Sequence, residues 1–293
     1  MKNIVCFGEV LWDVFPTHKK IGGAPLNVAL RLNSFENNVS IITRIGNDEA
    51  GEQIVTFAKK HGVNVDYIQV DEKFKTGAVK VTLNDKGSAS YDINFPRAWN
   101  NIQLTEKVKK ITKNSDAFIF GSLVARGETS RNTLYGLLRL ATYKIFDINL
   151  RAPHYSYDVL FHLMKQADFI KFNDDEIFEI AAALGAKSKS LEQIILFIAE
   201  QTATKSICVT KGRHGAILYH NETFYYNSGY QIVVADTVGA GDSFLASLMD
   251  KLLKNVPPQN AIDFACAIGA IVASREGANP EIYNKDIDSL INM

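Results

Sequence analysis

The sequence predicts an α/β fold: a doubly wound, mainly parallel sheet flanked by helices, with a small β-sheet lid. Short apolar runs recur along the 293-residue chain with helical stretches between them, which is the pattern of parallel strands covered on both faces. Two stretches in the amino-terminal third break this rhythm with strand-like alternation and predict the small sheet. Hydrophobic residues make up 46% of the chain and charged residues 22%, a balance typical of a globular protein with a sizeable core.

Six apolar runs, each short and bounded by turn residues, predict the strands of the main sheet. These runs are residues 3–8, 39–45, 116–121, 143–149, 167–173 and 205–210. A hairpin is predicted at residues 215–226, at an edge of this sheet. The β-branched run at residues 230–235 predicts one further strand, directly ahead of a glycine-rich segment.

Two segments predict the small sheet. Residues 76–95 alternate apolar and polar side chains around a polar turn at 84–87, which indicates a hairpin. Residues 9–21 are predicted to be extended. We expect the lid segments, about 9–21 and 76–98, to cover the carboxyl edge of the main sheet, as active-site lids do; an ordinary surface hairpin is the alternative that the pattern leaves open. We expect residues 1–293 to form a single domain.

The charge balance indicates a small-molecule partner. Lys+Arg and Asp+Glu both number 32, and a chain of formal net charge zero has no field that attracts nucleic acid or an anionic membrane. The amino-terminal apolar run is interrupted by Gly8 and Glu9, so we expect neither a signal peptide nor a membrane-spanning segment. Cys6, Cys208 and Cys266 lie in separate apolar runs, which predicts buried reduced thiols. We therefore expect a cytoplasmic protein with no nucleic-acid or membrane partner.

The most informative segment is residues 236–244, where a glycine-rich bend with the sequence DTVGAGDSF precedes an apolar helix. A helix leaves the N–H groups of its first turn without helical partners, and its dipole favours negative charge there. The small residues Gly239, Ala240 and Gly241 would let a phosphate approach those N–H groups. Asp242 would then lie beside the phosphate and could accept the proton of an attacking hydroxyl. A helix-capping role for Asp242 is the alternative.

A second glycine turn, at Gly22 and Gly23, precedes the predicted helix of residues 24–32. Paired glycines allow a polar ligand to approach the backbone closely. Asn27 and the upstream Asp13 are then candidate hydrogen-bonding partners for the hydroxyl groups of such a ligand. A simple loop-to-helix turn is the alternative.

Two further polar clusters follow predicted strands. Residues 173–176 (NDDE) open a helix and could hold Mg²⁺ directly or through water, although acidic residues also favour a first helical turn for dipole reasons alone. Residues 210–215 combine two glycines with Lys211 and Arg213, whose charges could flank a polyphosphate. A solvated turn between strands is the alternative there.

The segments at 22–32 and 236–248 resemble the amino- and carboxyl-terminal signatures of the ribokinase-like sugar kinases, the phosphofructokinase-B-type carbohydrate kinase family. Each signature is moderately specific, and the pair in this order at opposite ends of a chain of this length is strong. The resemblance runs from about residue 3 to about 285. It implies a ribokinase-like fold with a β-sheet lid and the ATP-dependent phosphorylation of a sugar hydroxyl.

The resemblance also assigns roles to individual positions. Asp242 matches the catalytic base, and the backbone of Gly239, Ala240, Gly241 and Asp242 matches the anion hole. The positions that match or support sugar binding are Asp13, Gly22, Gly23, Asn27, Arg97 and Arg151, the two arginines having ordinary surface charge as their alternative. The positions on the nucleotide side are Asn173, Glu176, Thr210, Lys211, Gly212, Gly215 and Cys266, the last of which is a histidine beside the adenine in some relatives.

The cofactors that the resemblance implies are ATP and Mg²⁺, with K⁺ in many members of the family. Glu176 would hold Mg²⁺ through water. A monovalent cation site behind the anion hole would involve Asp236, Val238, Val272 and Gly277, in a region where Glu281 replaces the smaller polar residue of ribokinases.

Substrate choice is indicated by four motifs, at residues 8–13, 23–25, 121–126 and 147–151, which look like those of fructokinases more than those of ribokinases or adenosine kinases. Fructose is therefore the expected sugar. The alternatives are a 2-keto-3-deoxygluconate, ribose or nucleoside kinase of the same family, and a non-catalytic sugar or nucleotide sensor on the same fold. Because lids of this kind often pair between subunits in the family, we expect a homodimer that forms through the lid.

Overall fold

The computed structural model describes residues 1–83 and 89–291. The chain divides into two compact units, the first formed by residues 3–142 and the second beginning at residue 143. The predicted hairpin turn at 84–87 lies outside the described residues.

The first unit contains two sheets. Its strands are β1 (Asn3–Phe7), β2 (Leu11–Val14), β3 (Lys19–Gly22), β4 (Asn38–Gly46), β5 (Ile68–Asp71), β6 (Gly77–Leu83), β7 (Ala89–Ile93) and β8 (Ala117–Gly121). Its helices are α1 (Ala24–Ser34), α2 (Glu49–Lys60), α3 (Glu106–Lys113) and α4 (Glu128–Leu138). The larger sheet has the parallel order β8-β1-β4-β5, with Val5 of β1 opposite Ser40 and Phe118. Residues 4–7 are at most 1% exposed, as expected for a parallel strand covered on both faces.

The smaller sheet of this unit has the order β3-β2-β6-β7. The pairs β2–β3 and β6–β7 are antiparallel, and β2 and β6 run parallel. The sheet has its own apolar cluster, formed by Leu11, Val79, Ile93, Trp99 and Leu123. Both segments predicted for a small sheet thus form one.

The second unit contains a mixed sheet. Its strands are β9 (Lys144–Asp147), β10 (Phe169–Asn173), β11 (Ser206–Thr210), β12 (Ala216–His220) and β13 (Thr223–Asn227), and its helices are α5 (Tyr157–Met164), α6 (Asp174–Ala183), α7 (Leu191–Thr202), α8 (Ala240–Leu253), α9 (Pro258–Ala273) and α10 (Asn284–Ile291). The first three strands are parallel, and β12 and β13 continue the sheet antiparallel to their neighbours. The hairpin predicted at 215–226 therefore lies at the sheet edge, as expected.

The strand predicted at residues 230–235 is wrong, because this segment has no strand conformation. Gly229, with φ of 83°, turns the chain away after β13, and the side chains of Val233 and Val234 are 88% and 57% exposed. β-branched residues favour strands only where a neighbouring strand is available to pair. The short strand β5, by contrast, was not predicted from the sequence.

All three cysteines are buried free thiols, as the sequence predicted. Cys6 lies in β1, Cys208 in β11 and Cys266 in α9. Burial raises the pKa of each thiol above its ordinary value, to about 12 for Cys266.

The longest described helix, α9, has 16 residues, fewer than the ~20 that a bilayer span requires. Within residues 1–83 and 89–291, no helix is both long and apolar enough to cross a membrane.

Candidate functional site

Helix α8 begins where the sequence places the anion hole. Its N-cap, Gly239, has φ of 76°, and a β carbon there would lie 2.5 Å from Cα of Ala278. Both the left-handed backbone and the close packing require glycine. Ser243 N donates to the carbonyl of Gly239 at 2.8 Å, the first bond of the α-helical spacing. Of the amides ahead of it, Ala240 N donates to the carbonyl of Thr237 at 3.3 Å. Those of Gly241 and Asp242 lie in the first turn, where a helix offers no carbonyl partner of its own.

Asp242 lies at the third position of α8 and is half-buried. The N-cap position belongs to Gly239, which makes no side-chain cap hydrogen bond. Asp242 is therefore not the N-cap residue itself, and a helix-capping role for its carboxylate stays an alternative. A carboxylate in the first turn still interacts favourably with the helix dipole.

A buried ion pair lies on the strands beneath this helix end. Lys171 Nζ of β10 is 2.9 Å from Asp147 Oδ1 of β9, and the two side chains are 8% and 6% exposed. Burial lowers the pKa of Lys171, but Asp147, Glu176 and Asp242 raise it, and the net pKa is above the ordinary lysine value. Lys171 was not among the predicted site residues, although a lysine inside the apolar run of residues 169–172 was a signal for it.

Helix α6 begins with a capping box formed by two predicted site residues. Asn173 Oδ1 accepts from Glu176 N, and Glu176 Oε2 accepts from Asn173 N, both at 2.8 Å. Glu176 Oε1 also accepts from Leu150 N at 2.8 Å. Burial raises the pKa of Glu176, while the neighbouring Lys171 lowers it, and the net direction is upward. Arg151 lies next to this helix end, is exposed, and donates through Nη1 to the carbonyl of Leu150 at 2.9 Å.

This donor set fits Mg²⁺ only in an indirect role. Among the residues that the structure describes, no group of three or more His, Cys, Asp or Glu side chains could hold a metal ion. Because Mg²⁺ keeps several waters and is bound by substrate phosphates together with one or two carboxylates, a water-mediated contact to Glu176 is compatible with the arrangement.

The loop after β11 forms a tight turn. Lys211 N donates to the carbonyl of Gly215 at 2.8 Å. Gly212 and Gly215 have φ of 54° and 76°, and a β carbon at Gly215 would collide with the carbonyl of Asn227. Thr210 Oγ1 donates to Phe172 O at 3.3 Å, which ties the loop to β10.

Cys266 of α9 lies near this loop. Burial is the main cause of its raised pKa, and the charge of Lys211 acts in the opposite direction. The side chain of Cys266 is 7% exposed. The structure thus brings together the loop and the helix position that the sequence assigned to the nucleotide.

The segment predicted for a monovalent cation is partly assembled. Asp236 Oδ1 accepts from Val238 N at 3.0 Å, and Asp236 Oδ2 accepts from Gly277 N at 3.2 Å. The carbonyl of Val272 accepts from Arg275 N at 3.0 Å. Three of the four predicted positions are therefore joined by hydrogen bonds, and Val272 directs its carbonyl to the end of α9.

The predicted sugar-binding residues of the first unit lie along β2, β3 and α1. A β carbon at Gly22 would touch the carboxylate of Asp13, and one at Gly23 would lie 2.5 Å from the carbonyl of Glu9. Gly23 has φ of 111° and is the N-cap of α1. Asn27, 6% exposed, lies in the first turn of the same helix, and its N–H donates to the carbonyl of Gly23 at 3.0 Å. The paired glycines thus bring the backbone close to Asp13.

Arg97 lies after β7 and makes local contacts. Its Nη2 donates to Asn94 Oδ1 at 2.9 Å, and its backbone N donates to Asn100 Oδ1 at 3.0 Å. Its Nε is buried and has no hydrogen-bond partner among residues 1–83 and 89–291.

The fold of this chain is that of the sugar kinases. The chain has a TM-score of 0.82 and 26% identity to an uncharacterized sugar kinase from Pyrococcus horikoshii, covering 94% of this chain and 93% of that chain. It has a TM-score of 0.87 and 20% identity to the 2-dehydro-3-deoxygluconokinase of Thermotoga maritima, covering 100% of both chains. The predicted fold is thereby confirmed.

The chain belongs to the pfkB family of carbohydrate kinases, whose model matches residues 1–284. Among curated relatives it is 27% identical to fructokinase-2 of Oryza sativa subsp. japonica, covering 95% of this chain and 90% of the relative. It is also 27% identical to the probable fructokinase-5 of Arabidopsis thaliana, covering 95% and 94%. The resemblance seen in the two signatures is confirmed, and the protein is a carbohydrate kinase.

Proposed function

We propose that this carbohydrate kinase transfers the γ-phosphate of ATP to a primary hydroxyl of fructose. The observation that carries the phosphoryl-transfer role is the beginning of α8, where a left-handed glycine opens the first turn and a carboxylate follows three residues later. Fructose is supported by the curated relatives, which are fructokinases, and by the fructokinase-like motifs of the sequence.

The second unit would bind the nucleotide and supply the chemistry. The amides of Gly239, Gly241 and Asp242 stabilise charge on the transferring group. Ala240 N would join them by giving up its 3.3 Å hydrogen bond to the carbonyl of Thr237. Asp242 accepts the proton of the attacking hydroxyl as the new oxygen–phosphorus bond forms. Glu176, through water, would help to hold Mg²⁺, which when bound neutralises charge on the phosphates.

The nucleotide would lie along the loop after β11. Thr210, Lys211, Gly212 and Gly215 provide a tight backbone turn with a cationic side chain next to it, which suits a polyphosphate. Cys266 lies where the adenine is expected. A sugar kinase from Pyrococcus horikoshii, 27% identical to this chain, has been solved in complex with ATP, which supports ATP as the donor.

The glycine turn ahead of α1 would bind the sugar. The carboxylate of Asp13 and the amide of Asn27 can accept and donate hydrogen bonds to sugar hydroxyls. Gly22 and Gly23 keep the backbone beside them free of side chains. Arg97 and Arg151 remain candidates for supporting contacts.

Potassium activation is a further part of the proposal. A double mutant of the fructokinase of Vibrio cholerae O395 has been solved with fructose, ADP and a potassium ion. In this chain the cation would lie at Asp236, Val238 and Gly277, where the backbone is already organised by hydrogen bonds. The carbonyl of Val272 accepts from Arg275 N at 3.0 Å and keeps a second lone pair with which it could bind the cation.

A homodimer through the small sheet completes the proposal. Phe95, in the turn after β7, is 62% exposed, and Val14 of β2 is 39% exposed, so this sheet and its flanking turn offer apolar side chains for a second copy to cover. Light scattering after size exclusion should give twice the chain mass of 32.5 kDa; the mass of a single chain would contradict the dimer.

The test of substrate is a coupled assay of ADP release over fructose, ribose, 2-keto-3-deoxygluconate and a nucleoside, with and without potassium. We expect the highest kcat/KM for fructose. A better substrate elsewhere in the panel would overturn the choice of sugar and keep the kinase. Tight sugar binding with no turnover on any member would overturn catalysis and favour a sensor.

A further inference from the structure

Lys171 is a charged residue inside an apolar strand. Its neighbours Phe169, Ile170 and Phe172 are 0% exposed, and Lys171 itself is 6% exposed. Burial of an ammonium is unfavourable unless the charge is paired and hydrogen-bonded. The ion pair with Asp147 compensates the charge but provides an acceptor for only part of the ammonium, which carries three N–H donors.

The hydrogen bonds of Lys171 do not use all of its N–H donors. In the described part of the chain, Nζ makes one hydrogen bond, to Asp147 Oδ1 at 2.9 Å. Two N–H groups of a side chain that is more than nine-tenths buried are thus without an acceptor, which is unfavourable in the absence of a ligand. A ligand rich in acceptor oxygens would satisfy them.

The position of Nζ indicates where such a ligand would lie. A β carbon on Gly241 would lie 3.7 Å from Lys171 Nζ, and no other heavy atom of the described residues is recorded within 4 Å outside the helix's own backbone and chain neighbours. The ammonium therefore faces the first turn of α8, beside the amides that form the proposed anion hole. A phosphoryl oxygen held by those amides would lie within reach of it.

The charges around Lys171 point the same way. Carboxylates from three elements act on it: Asp147 from β9, Glu176 from α6 and Asp242 from α8. The thiol of Cys208, from β11, is the other titratable group that it influences. A phosphoryl group entering such a cluster would be repelled by the carboxylates, and Lys171 supplies the opposing charge.

We propose that Lys171 binds the phosphoryl group while it is transferred, an inference that rests on the phosphoryl-transfer role proposed above for α8. The bond between the γ-phosphorus and ADP breaks, the bond to the sugar oxygen forms, and the hydroxyl proton moves to Asp242. Lys171 neither gains nor loses a proton. It donates hydrogen bonds to the non-bridging oxygens, and Asp147 holds its side chain in place.

The experiment removes the ammonium and separates charge from folding. Lys171→Met keeps the length of the side chain but leaves Asp147 buried and unpaired, which is destabilising. The double variant Asp147→Asn with Lys171→Met removes both charges and restores neutrality. Lys144→Met is the matched control, because Lys144 begins the adjacent strand β9 and pairs at 3.4 Å with Asp168, which directly precedes β10. This ion pair therefore lies at the amino ends of the same two strands.

We expect kcat to fall by about 100-fold or more in both Lys171 variants, the loss typical of one missing donor to a transition-state oxygen. The melting temperature should fall in Lys171→Met and recover in the double variant. The kcat of the double variant should nevertheless stay low. Lys144→Met should keep wild-type kcat. Recovery of kcat together with stability in the double variant would overturn the proposal, because Lys171 would then be structural only.

Calorimetric titration gives a readout that needs no turnover. A non-hydrolysable ATP analogue carries the γ-phosphate and ADP does not, so the wild type should prefer the analogue and the folded double variant should lose that preference while keeping its ADP affinity. An unchanged preference would overturn the role of Lys171. A wild type that turns over no sugar would instead contradict the proposed function, and the two affinities would still decide the role of Lys171.

Discussion

Asp242 combines two properties at the scale of a single residue. It lies in the first turn of α8 without being its N-cap, and it is close enough to Lys171 to influence its charge. The N-cap position itself belongs to Gly239.

We therefore expect Asp242→Ala to abolish phosphoryl transfer and to leave ATP affinity and melting temperature nearly intact. Loss of a general base typically lowers the rate by about 10² to 10⁴-fold. Turnover should be measured by ADP release and ATP binding by calorimetry. Retention of most of the wild-type kcat would show that another group takes the proton.

Gly239 is constrained in a different way, by its backbone and by its neighbour. A left-handed φ costs a residue with a β carbon about 1 to 2 kcal/mol, and in Gly239→Ala that carbon would also collide with Ala278. We expect the variant to lose stability and ATP affinity together.

The matched control for this variant is Gly185→Ala. Gly185 has φ of 83°, and no heavy atom lies within 4 Å of its β-carbon position among the described residues. This variant should lose only the conformational term, about 1 to 2 kcal/mol by urea unfolding, and keep its activity. Equal losses in the two variants would show that the packing against Ala278 is unimportant.

At the scale of elements, the helix beginnings differ in what holds them. Helix α2 begins with a side-chain cap: Asp48 Oδ1 accepts from Gly51 N at 2.9 Å, and Oδ2 accepts from Thr76 N at 2.9 Å. Thr76 Oγ1 donates to the same carboxylate at 2.5 Å. The cap therefore also fixes the residue directly ahead of β6.

Asp48→Ala should destabilise the protein by about 2 to 4 kcal/mol, because a cap bond is lost and the buried Thr76 is left without its partner. Ser156→Ala is the control, since Ser156 is the N-cap of α5 but makes no side-chain cap hydrogen bond. Its cost should stay within about 0.5 kcal/mol in urea unfolding. A similar cost for both variants would contradict the role of the Asp48 network.

The same carboxylate predicts a dependence of stability on pH. Burial raises the pKa of Asp48, but hydrogen bonds from Thr76 and Gly51 and the charge of Lys75 lower it, and the net pKa is below its ordinary value. The stability from this group is therefore present above its unfolded pKa of about 3.9 and is lost as pH falls through the lower folded pKa. The free-energy difference between wild type and Asp48→Asn should shrink below about pH 4; a constant difference would contradict this.

Most elements could be predicted from the sequence because their patterns are local. The buried run around Val5 and the hairpin that includes His220 are recognised by composition and turn residues alone. Residues 230–235 show where that fails: Val233 and Val234 favour a strand, but within the described part of the chain this segment pairs with no strand. The pairing partner is a tertiary property that residue type does not contain.

At the scale of the whole molecule, the sequence predicts candidate site residues but not the tertiary contacts that they make. The two glycine signatures were recognisable because Gly23 and Gly239 adopt positive φ angles that favour glycine, so the residue type itself indicates the backbone conformation. The ion pair of Lys171 with Asp147 joins residues 24 positions apart, and only the order of the strands brings them together. Likewise, the hydrogen bond from Arg275 that occupies the carbonyl of Val272 leaves no trace in the sequence.

The buried cysteines give a prediction at this scale. A thiol reacts as the thiolate, and burial holds the pKa of all three above its usual range. We expect a chromogenic disulfide reagent to label the native protein slowly and the urea-unfolded protein at once with three equivalents. Rapid labelling of the native protein would contradict the burial.

The labelling rates of these three thiols therefore report on the local unfolding that exposes them. Cys6 reports on the first unit, and Cys208 and Cys266 report on the second. When opening limits labelling, each modification rate measures the free energy of exposing that part of the chain. Mass spectrometry of partly labelled protein would then reveal which unit loosens first, and by how much a nucleotide delays it.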